Sequence, residues 1–420
     1  MPFSKIKEEV SQFYSKATKT GEIPGREYHA IIMMREIQPY VSDIDGYWFN
    51  YGFYLNNVGL VQEAINAFIK SLEFNFAGIH WPAYAILGKL YSETNQRLEA
   101  DHWYDLTIKE NSPVAGTCWI LKGSNLSMLG DFERAKECYE NSLKDISGEC
   151  DKDEALFNLA NICCIKGDYE RGLEFIKRSY SIDPEVKRTN RLLNDVESLI
   201  NFELKNQKFK TKDAVKSKFD LADEYIKKEW YFCALETLRE YQKQIPKNPK
   251  IWERMGVCMI NVGMGREGRK ALNMALEYSD GAEQKTIYST MAELCMDFGS
   301  LSEADKWFEK TILCQGFVED WVFFRRGECL AKMGKYIKAR ECFEQSIDCE
   351  GSWVNPDMKY LSVGLMFRNE ERFEDAVSAL REALRLNPKN EKAKEALDGL
   401  SGIDKTIEYA KQECERIKSL

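Results

Sequence analysis

The chain has 420 residues, of which 44% are hydrophobic, and a formal net charge of −9. That charge argues against nonspecific nucleic-acid binding over the whole surface, because neutralising phosphates requires clustered Lys and Arg. No apolar run reaches the roughly 18 residues of a membrane-spanning helix, and the first ten residues lack the apolar core of a secretory signal, so we expect a cytoplasmic protein that binds neither nucleic acid nor membrane.

The N-terminal segment 3–40 predicts a degenerate pair of helices. Pro24 and Gly25 fall at its turn, and the apolar stretch Tyr28–Ile37 supplies the second helix. The outer face of a terminal repeat has no neighbour, so stacked repeats need helices that cover it. We therefore expect this pair to cap the N-terminal end of a repeat array.

Nine helix-turn-helix repeats follow, mostly at intervals of 34–37 residues. In the first helix of each repeat (helix A) position 4 is almost always large and position 8 is small, and position 20 in the second helix (helix B) is small again. Small residues let helices A and B approach closely, large residues fill the space between them, and a glycine near position 15 permits the turn. The repeats begin at Asp45, Trp81, Gly116, Asp153, Val215, Pro249, Lys285, Asp320 and Asp357.

One repeat segment shows the pattern clearly and occurs twice. Gly130–Leu143 reads GDFERAKECYENSL and returns as Gly334–Ile347, which reads GKYIKARECFEQSI. Over about three quarters of its length the chain resembles the tetratricopeptide repeat (TPR) family. The resemblance implies an all-α fold, an α-α superhelix (TPR solenoid) of about nine repeats with capping helices.

The repeats also predict an internal duplication. The starts at 45, 81, 116 and 153 recur at 249, 285, 320 and 357, an offset of 204 residues, and residues outside the repeat consensus, such as Asp101 and Asp305, match at the same offset. We predict two lobes, 1–204 and 205–420. The first holds the helical pair 3–40, repeats over 45–186 and a sealing helix at 185–204, and the second holds repeats over 215–390 and capping helices at 391–420.

Between the predicted lobes, Lys205–Lys218 contains six lysines. Runs of like charge usually stay hydrated, so a solvated connector is the favoured interpretation. A basic hinge that contacts an acidic partner is the alternative.

The sequence offers no pattern for catalysis or metal binding. Its 3 histidines and 13 cysteines form no recognised ligand spacing, and Gly263–Gly268, a literal G-x-G-x-x-G, follows a predicted helix where a dinucleotide site needs a strand. We expect no cofactor, no metal and no enzymatic activity. Six cysteines occupy repeat positions that need small or apolar side chains, which predicts buried, reduced thiols: Cys138, Cys163, Cys258, Cys295, Cys329 and Cys342.

The resemblance further implies that helices A line a concave groove at their positions 2, 5, 6, 9, 12 and 13. In the first lobe the predicted residues are apolar or Asn, apart from Lys89. An Asn amide both donates and accepts hydrogen bonds and so suits a peptide backbone. In the second lobe these positions are mostly charged. Packing between adjacent helices A is the alternative role for the apolar members. The predicted groove residues are Asn50, Phe53, Asn56, Lys89, Phe157, Asn158, Asn161, Lys250, Arg254 and Arg325.

The favoured function is a noncatalytic scaffold or adaptor that binds an extended peptide or a helix of a partner protein. The alternatives are a structural subunit that uses convex or edge surfaces, with self-association left open, and a regulatory subunit of an enzyme. A clamp for the C-terminal carboxylate of a chaperone tail is disfavoured, because Asp220 has the wrong charge for the family's pattern and segment 185–204 interrupts the series.

Overall fold

The protein is all-α over the residues that the computed structural model describes. These are residues 2–41, 46–74, 78, 80–94, 96–146, 150–205, 214–314, 316–349 and 353–419. For residues 2–5, 201–205, 214–218 and 282 the backbone alone is described. These residues form helical pairs of the superhelical repeat type, as predicted, and contain no strand. Within the same ranges, none of the helices has the length and apolar character needed to cross a bilayer.

The first helices of the repeats begin within four residues of the predicted starts. Several begin at a residue suited to the first turn, such as Pro249 and Pro356, whose missing N–H costs nothing there. The helices A are α3 (Tyr47–Asn57), α5 (Trp81–Glu93), α7 (Ala115–Met128), α9 (Lys152–Ile165), α12 (Ala214–Lys227), α14 (Pro249–Asn261), α16 (Gly281–Asp297), α18 (Asp320–Lys332) and α20 (Pro356–Asn369).

Each helix A is followed by an antiparallel helix B after a short turn. Gly130 and Gly334 lie in these turns with φ of 81° and 72°, as the recurring segment predicts, and Asp131 caps the helix that follows by accepting the backbone N–H of Arg134. The helices B are α4 (Val61–Glu73), α6 (Arg97–Lys109), α8 (Phe132–Lys144), α10 (Tyr169–Ile182), α13 (Tyr231–Gln244), α15 (Gly265–Tyr278), α17 (Leu301–Leu313), α19 (Tyr336–Asp348) and α21 (Phe373–Leu386).

The remaining helices lie where the sequence predicts covering helices. They are α1 (Pro2–Gly21) and α2 (Glu27–Ile37), which is followed by a 3-10 turn at Gln38–Tyr40, then α11 (Lys187–Lys205), α22 (Glu391–Leu400) and α23 (Ile403–Lys418). Of the predicted lysine-rich connector, residues 206–213 lie outside the described residues. Helix α12 already begins at Ala214, so the connector is shorter than predicted.

Helices A and B touch most closely where both carry a small residue. A Cβ added to Gly268 in α15 would lie 2.3 Å from Ile260 Cγ1 and 2.8 Å from the carbonyl oxygen of Gly256 in α14. The G-x-G-x-x-G segment thus follows helix α14, as predicted, and forms the turn into α15. Its last glycine, Gly268, lies where the backbones of α14 and α15 approach closely.

We expect Gly268→Ala to lower the free energy of unfolding by about 1–3 kcal/mol, because the methyl group meets backbone that cannot move aside without separating α14 from α15. Chemical denaturation followed by circular dichroism measures this. Gly265→Ala in the same turn is the control, since its Cβ would meet only the carbonyl oxygen of Met128, at 3.5 Å, an ordinary contact. Equal stability of the two variants would contradict the prediction.

The chain folds as two compact units. Unit 1 consists of Met1–Thr94, Gly299–Ile312 and Gly316–Leu420, and unit 2 consists of Asn95–Phe298 with Leu313–Gln315. These units do not coincide with the predicted lobes 1–204 and 205–420, because each unit takes helices from both. The lobes therefore remain a prediction about the sequence, separate from the compact units of the structure.

The 204-residue offset nevertheless recurs in the helix boundaries. Four helices of unit 2 and four of unit 1 have bounds that differ by 204 residues at both ends, and the unit boundaries after residues 94 and 298 are separated by the same number. Each unit therefore presents the same order of helices. The matching pairs are α6 with α17, α8 with α19, α9 with α20 and α10 with α21.

In unit 2, helix α11 packs between α10 and α13. One apolar stripe of α11 is buried: Leu192, Val196 and Leu199 are 7%, 0% and 1% exposed and join one core with residues of α13. Asp195, 2% exposed, accepts the backbone N–H groups of Phe232 at 2.9 Å and Cys233 at 3.0 Å. Helix α11 thus has a neighbouring helix on each side. Trp230, the N-cap residue of α13, makes no side-chain capping hydrogen bond, and Asp195 of α11 supplies this cap instead.

In unit 1, the corresponding place is occupied by α22 and α23, which pack against α2. His29, 1% exposed, contacts the carbonyl oxygen of Gly399 at 2.9 Å through Nε2 and the hydroxyl of Thr406 at 2.7 Å through Nδ1. Burial lowers the pKa of His29, and the neighbouring Arg26 lowers it further against the opposing effect of the Gly399 bond. Nη1 of Arg26 also lies 2.9 Å from His29 Nε2, and both burial and this cation favour the neutral ring.

The six cysteines predicted to be buried are all buried, and none of the six forms a disulfide. Burial raises the pKa of Cys138 and Cys342 to about 11 and that of Cys329 to about 12. A raised pKa keeps these thiols protonated near neutral pH, so they act as small apolar side chains.

Candidate protein interface

The predicted groove residues of unit 2 lie on two helices A. Phe157, Asn158 and Asn161 are half-buried on α9, and the two asparagines are three residues apart, so they share one face of the helix. Neither side-chain amide has a hydrogen bond among the contacts of the described residues. Half-buried amides without an internal partner are able to pair with the backbone of a bound peptide.

Helix α11 borders this face of α9. The guanidinium of Arg188 lies 5.3 Å from the centre of the Phe157 ring, and its Nη2 is 3.7 Å from carboxylate oxygens of both Asp153 and Glu154. The Phe157 ring also packs partly against the core that α11 and α13 share. The residue next to Asn158 on α9 is therefore an aromatic ring, Phe157, which contacts the guanidinium of Arg188.

On α14, the two predicted basic residues are paired within unit 2. Arg254 binds both carboxylate oxygens of Asp223 in α12, with 3.1 Å between Nη2 and Oδ2, and its guanidinium lies 4.4 Å from the centre of the Phe219 ring. Lys250 Nζ is 3.7 Å from Glu283 Oε1 in α16. Each basic group thus links α14 to a neighbouring helix A, which weakens the case for a carboxylate clamp.

In unit 1, three predicted residues lie on α3 and differ in their availability. Asn50 donates to the hydroxyl of Tyr14 at 2.7 Å, so its amide is already engaged within the chain. Phe53 is 45% exposed, and Asn56 is half-buried with no amide hydrogen bond among the described contacts.

The last two predicted residues are charged and lie farther along unit 1. Lys89 in α5 is exposed, 3.9 Å from Glu93, and Arg325 in α18 donates to Glu328 at 2.7 Å. Exposed pairs one turn apart contribute little to stability. The structure therefore distributes the ten predicted residues over both units, five in each.

Three partners of the predicted residues were missed by the sequence prediction. Tyr14 belongs to a helix outside the repeats, and Arg188 belongs to α11, which the consensus does not contain. Asp223 falls at position 9 of its repeat, one turn from the Asp220 that the groove pattern selected. A search for carboxylates at groove positions of adjacent repeats would have found Asp223.

Among the described residues, no group of three or more His, Cys, Asp or Glu side chains is arranged to hold a metal ion. The buried carboxylate of Asp195 in unit 2 is engaged in joining α11 to α13. What α9 presents is a surface of amides and one aromatic ring, which is suited to binding and carries no nucleophile.

The helical pairs and their spacing agree with a family comparison. The model named "Tetratricopeptide repeat" matches residues 117–144, 153–186, 322–349 and 360–390, two segments in each predicted lobe. In these four segments the chain contains tetratricopeptide repeats. Helix α9 is helix A of the matched TPR segment 153–186, so the asparagine face lies in a recognised repeat. TPR repeats are in general noncatalytic modules that bind proteins.

Solved TPR structures resemble this TPR protein only loosely. A structure of MamA is 18% identical, covers 43% of this chain and 96% of its own, and has a TM-score of 0.37. The APC/C hetero-tetramer Cut9-Hcn1 is 13% identical over 94% of this chain and 84% of its own, with a TM-score of 0.36. The TPR2AB domain of yeast Sti1 in complex with pHSP90 is 12% identical over 75% and 98%, with a TM-score of 0.28. No curated protein sequence matches the chain.

Proposed function

We propose that this TPR protein is a noncatalytic interaction scaffold that binds an extended peptide or a helix of a partner protein along its helices A. The face of α9 in unit 2 is the main contact. The observation that carries this proposal is the pair Asn158 and Asn161, half-buried and on one face, with amides that make no hydrogen bond to any residue that the structure describes.

The surroundings of the pair support a peptide ligand. A peptide backbone presents N–H and C=O groups in alternation, and an Asn amide satisfies both kinds without reading the side chains. The neighbouring Phe157 ring supplies apolar contact area, and Arg188 restricts its position. A partner segment with one apolar side chain beside an extended backbone fits this arrangement.

The corresponding helix of unit 1 differs at these positions. At the 204-residue offset, Asn158 and Asn161 correspond to Ser362 and Leu365, both half-buried on α20. The α20 face therefore lacks the paired amides although its helix bounds match those of α9. Because the same kind of helix forms without the asparagines, their presence on α9 favours a binding role over a folding role.

We expect Asn158→Ala combined with Asn161→Ala to weaken binding of the partner by about 30-fold, since each lost hydrogen bond contributes about 1 kcal/mol. Affinity purification of the full-length chain with quantitative mass spectrometry first identifies the partner, and titration with a peptide from it gives the Kd. The fold should be unchanged, because neither amide bonds to another residue in the described part of the chain.

The matched control replaces two asparagines on helices B of the same unit, Asn141→Ala with Asn273→Ala. This variant should retain every partner at the wild-type level. If the Asn158/Asn161 variant also retains every partner, α9 is not the binding face and the proposal is wrong.

A further inference from the structure

Each unit contains one place where the tail of one predicted lobe meets the second helix of the other lobe. In unit 2 the tail α11, from lobe 1–204, packs on α13, from lobe 205–420. In unit 1 the tail α22–α23, from lobe 205–420, packs on α2, from lobe 1–204. We call these the α11 seam and the α23 seam.

The two seams share one corresponding contact. At the 204-residue offset, Cys233 corresponds to His29 and Asp195 to Gly399. In the α11 seam, the Cys233 thiol donates to the carbonyl oxygen of Asp195 at 3.4 Å; in the α23 seam, His29 Nε2 contacts the carbonyl oxygen of Gly399 at 2.9 Å. Different side chains thus make the same connection, from the second helix to the main chain of the tail.

Both seams are buried and extend along the helices. Val196 and Leu199 of the α11 seam are at most 1% exposed, and Ala410 and Ile417 of α23 are buried to the same extent. The α23 seam adds a stack of Phe13 on Tyr409, with 5.9 Å between ring centres.

Polar contacts also connect the α23 tail to α1 and α2. Arg416 of α23 pairs with Glu9 of α1 at 2.6 Å, and the Cys414 thiol donates to the carbonyl oxygen of Glu36 at 3.3 Å. A lobe by itself would expose its tail stripe and the facing surface of its second helix, and contiguous apolar surface of that kind drives association.

We propose that the tail of each lobe is the binding partner of the second helix of the other lobe, so that the chain is a covalently linked pair of interlocked copies. The surface of α2 has a definite occupant, the α22–α23 tail, and the surface of α13 has α11. A chain cut between the lobes therefore behaves as a tight 1:1 complex of two fragments.

The experiment cuts the full-length protein at a protease site introduced into residues 206–213. Size-exclusion chromatography with light scattering then measures the mass of the product. We expect the cut chain to keep the mass of the uncut chain down to nanomolar concentration and to melt in a single transition. Separation into two species of half mass at micromolar concentration would overturn the proposal.

Seam variants of the same cut protein test which surfaces hold the fragments together. Val196→Asp places a carboxylate in the α11 seam, and Gly399→Leu places a side chain where even a Cβ would lie 2.4 Å from the carbonyl oxygen of Gly25. Each variant should raise the Kd between fragments by at least about 100-fold. Circular dichroism of each uncut variant reports separately whether the helices still form.

The controls change exposed residues of the same tails. In α11, Glu197→Ala removes a partly exposed ion pair with Lys177 of α10. Between α22 and α23, Ser401→Ala changes an exposed side chain. Both should change the Kd by less than about 3-fold. Seam variants that bind as tightly as these controls would show that other contacts join the lobes and would overturn the assignment of the seams.

Discussion

Replacing Lys359 with alanine is expected to lower the free energy of unfolding by about 3–5 kcal/mol, the largest effect of any single exchange considered. Lys359 Nζ is 2.7 Å from Asp320 Oδ2 and donates to the carbonyl oxygen of Ser346 at 2.7 Å. The two side chains of the ion pair are 5% and 0% exposed. Removing the cation leaves a buried carboxylate without a counter-charge, which is the costly half of breaking a buried pair.

This ion pair also predicts a pH dependence. Burial by itself would raise the pKa of Asp320, but hydrogen bonds from Lys359 and the backbone N–H groups of Val354 and Trp353 hold it below its usual value. A depressed carboxyl pKa stabilises the folded state above about pH 4, the unfolded value, and this contribution is lost as the pH falls through the folded pKa. In Lys359→Ala the pKa of the Asp320 carboxyl rises. The variant's loss of unfolding free energy relative to wild type should therefore become smaller as the pH falls from 7 to 4.

Unit 2 supplies the control for this prediction. At the 204-residue offset, Asp320 and Lys359 correspond to Gly116 and Ala155, both buried, so the matching helices of unit 2 pack without this ion pair. The double variant Asp320→Gly with Lys359→Ala should be more stable than Lys359→Ala alone in urea titrations. A double variant that is less stable than the single one would contradict the argument. Lys89→Ala, at an exposed pair, should change stability by no more than about 0.5 kcal/mol.

Replacing Asp195 with alanine is expected to lower the free energy of unfolding by about 2–4 kcal/mol. Its carboxylate accepts the N–H groups of Phe232 and Cys233 in the first turn of α13, where no helical carbonyl is available to them. Truncation leaves two buried backbone donors unsatisfied and removes a negative charge from the positive end of a helix. Thermal and urea unfolding of the full-length protein measure the loss.

Asp195→Asn separates the hydrogen bonds from the charge. Asparagine keeps one acceptor oxygen, so this variant should recover part of the stability lost in Asp195→Ala. Glu197→Ala, on a partly exposed face of the same helix, should be close to wild type. If Asp195→Ala is as stable as Glu197→Ala, the carboxylate does not cap α13.

The repeat architecture could be predicted because it depends on local spacing. Small residues such as Gly256 and Gly268 mark where helices A and B touch, and Gly130 and Gly334 mark the turns. These requirements act within about 35 residues of chain, so every repeat displays them. Helix starts and buried cysteines were confirmed for the same reason.

The candidate binding face could be predicted only in part. Helical periodicity places Asn158 and Asn161 on one face, and the structure adds that their amides have no internal partner. Asn50 has the same residue type at a comparable position, yet it bonds to Tyr14, which belongs to another helix. Residue type and spacing indicate a potential contact, while its availability depends on what packs beside it.

By itself the sequence determined the all-α class, the repeats and the 204-residue periodicity, because each follows from local packing patterns that recur along the chain. The tertiary structure decided which segments join into a compact unit. Residues 1–94 fold with 299–312 and 316–420, joined where α2 meets α22 and α23. Such pairings depend on complementary surfaces hundreds of residues apart, as between His29 and Gly399. A helix displays the same apolar stripe whichever partner covers it, so its sequence does not reveal which one does.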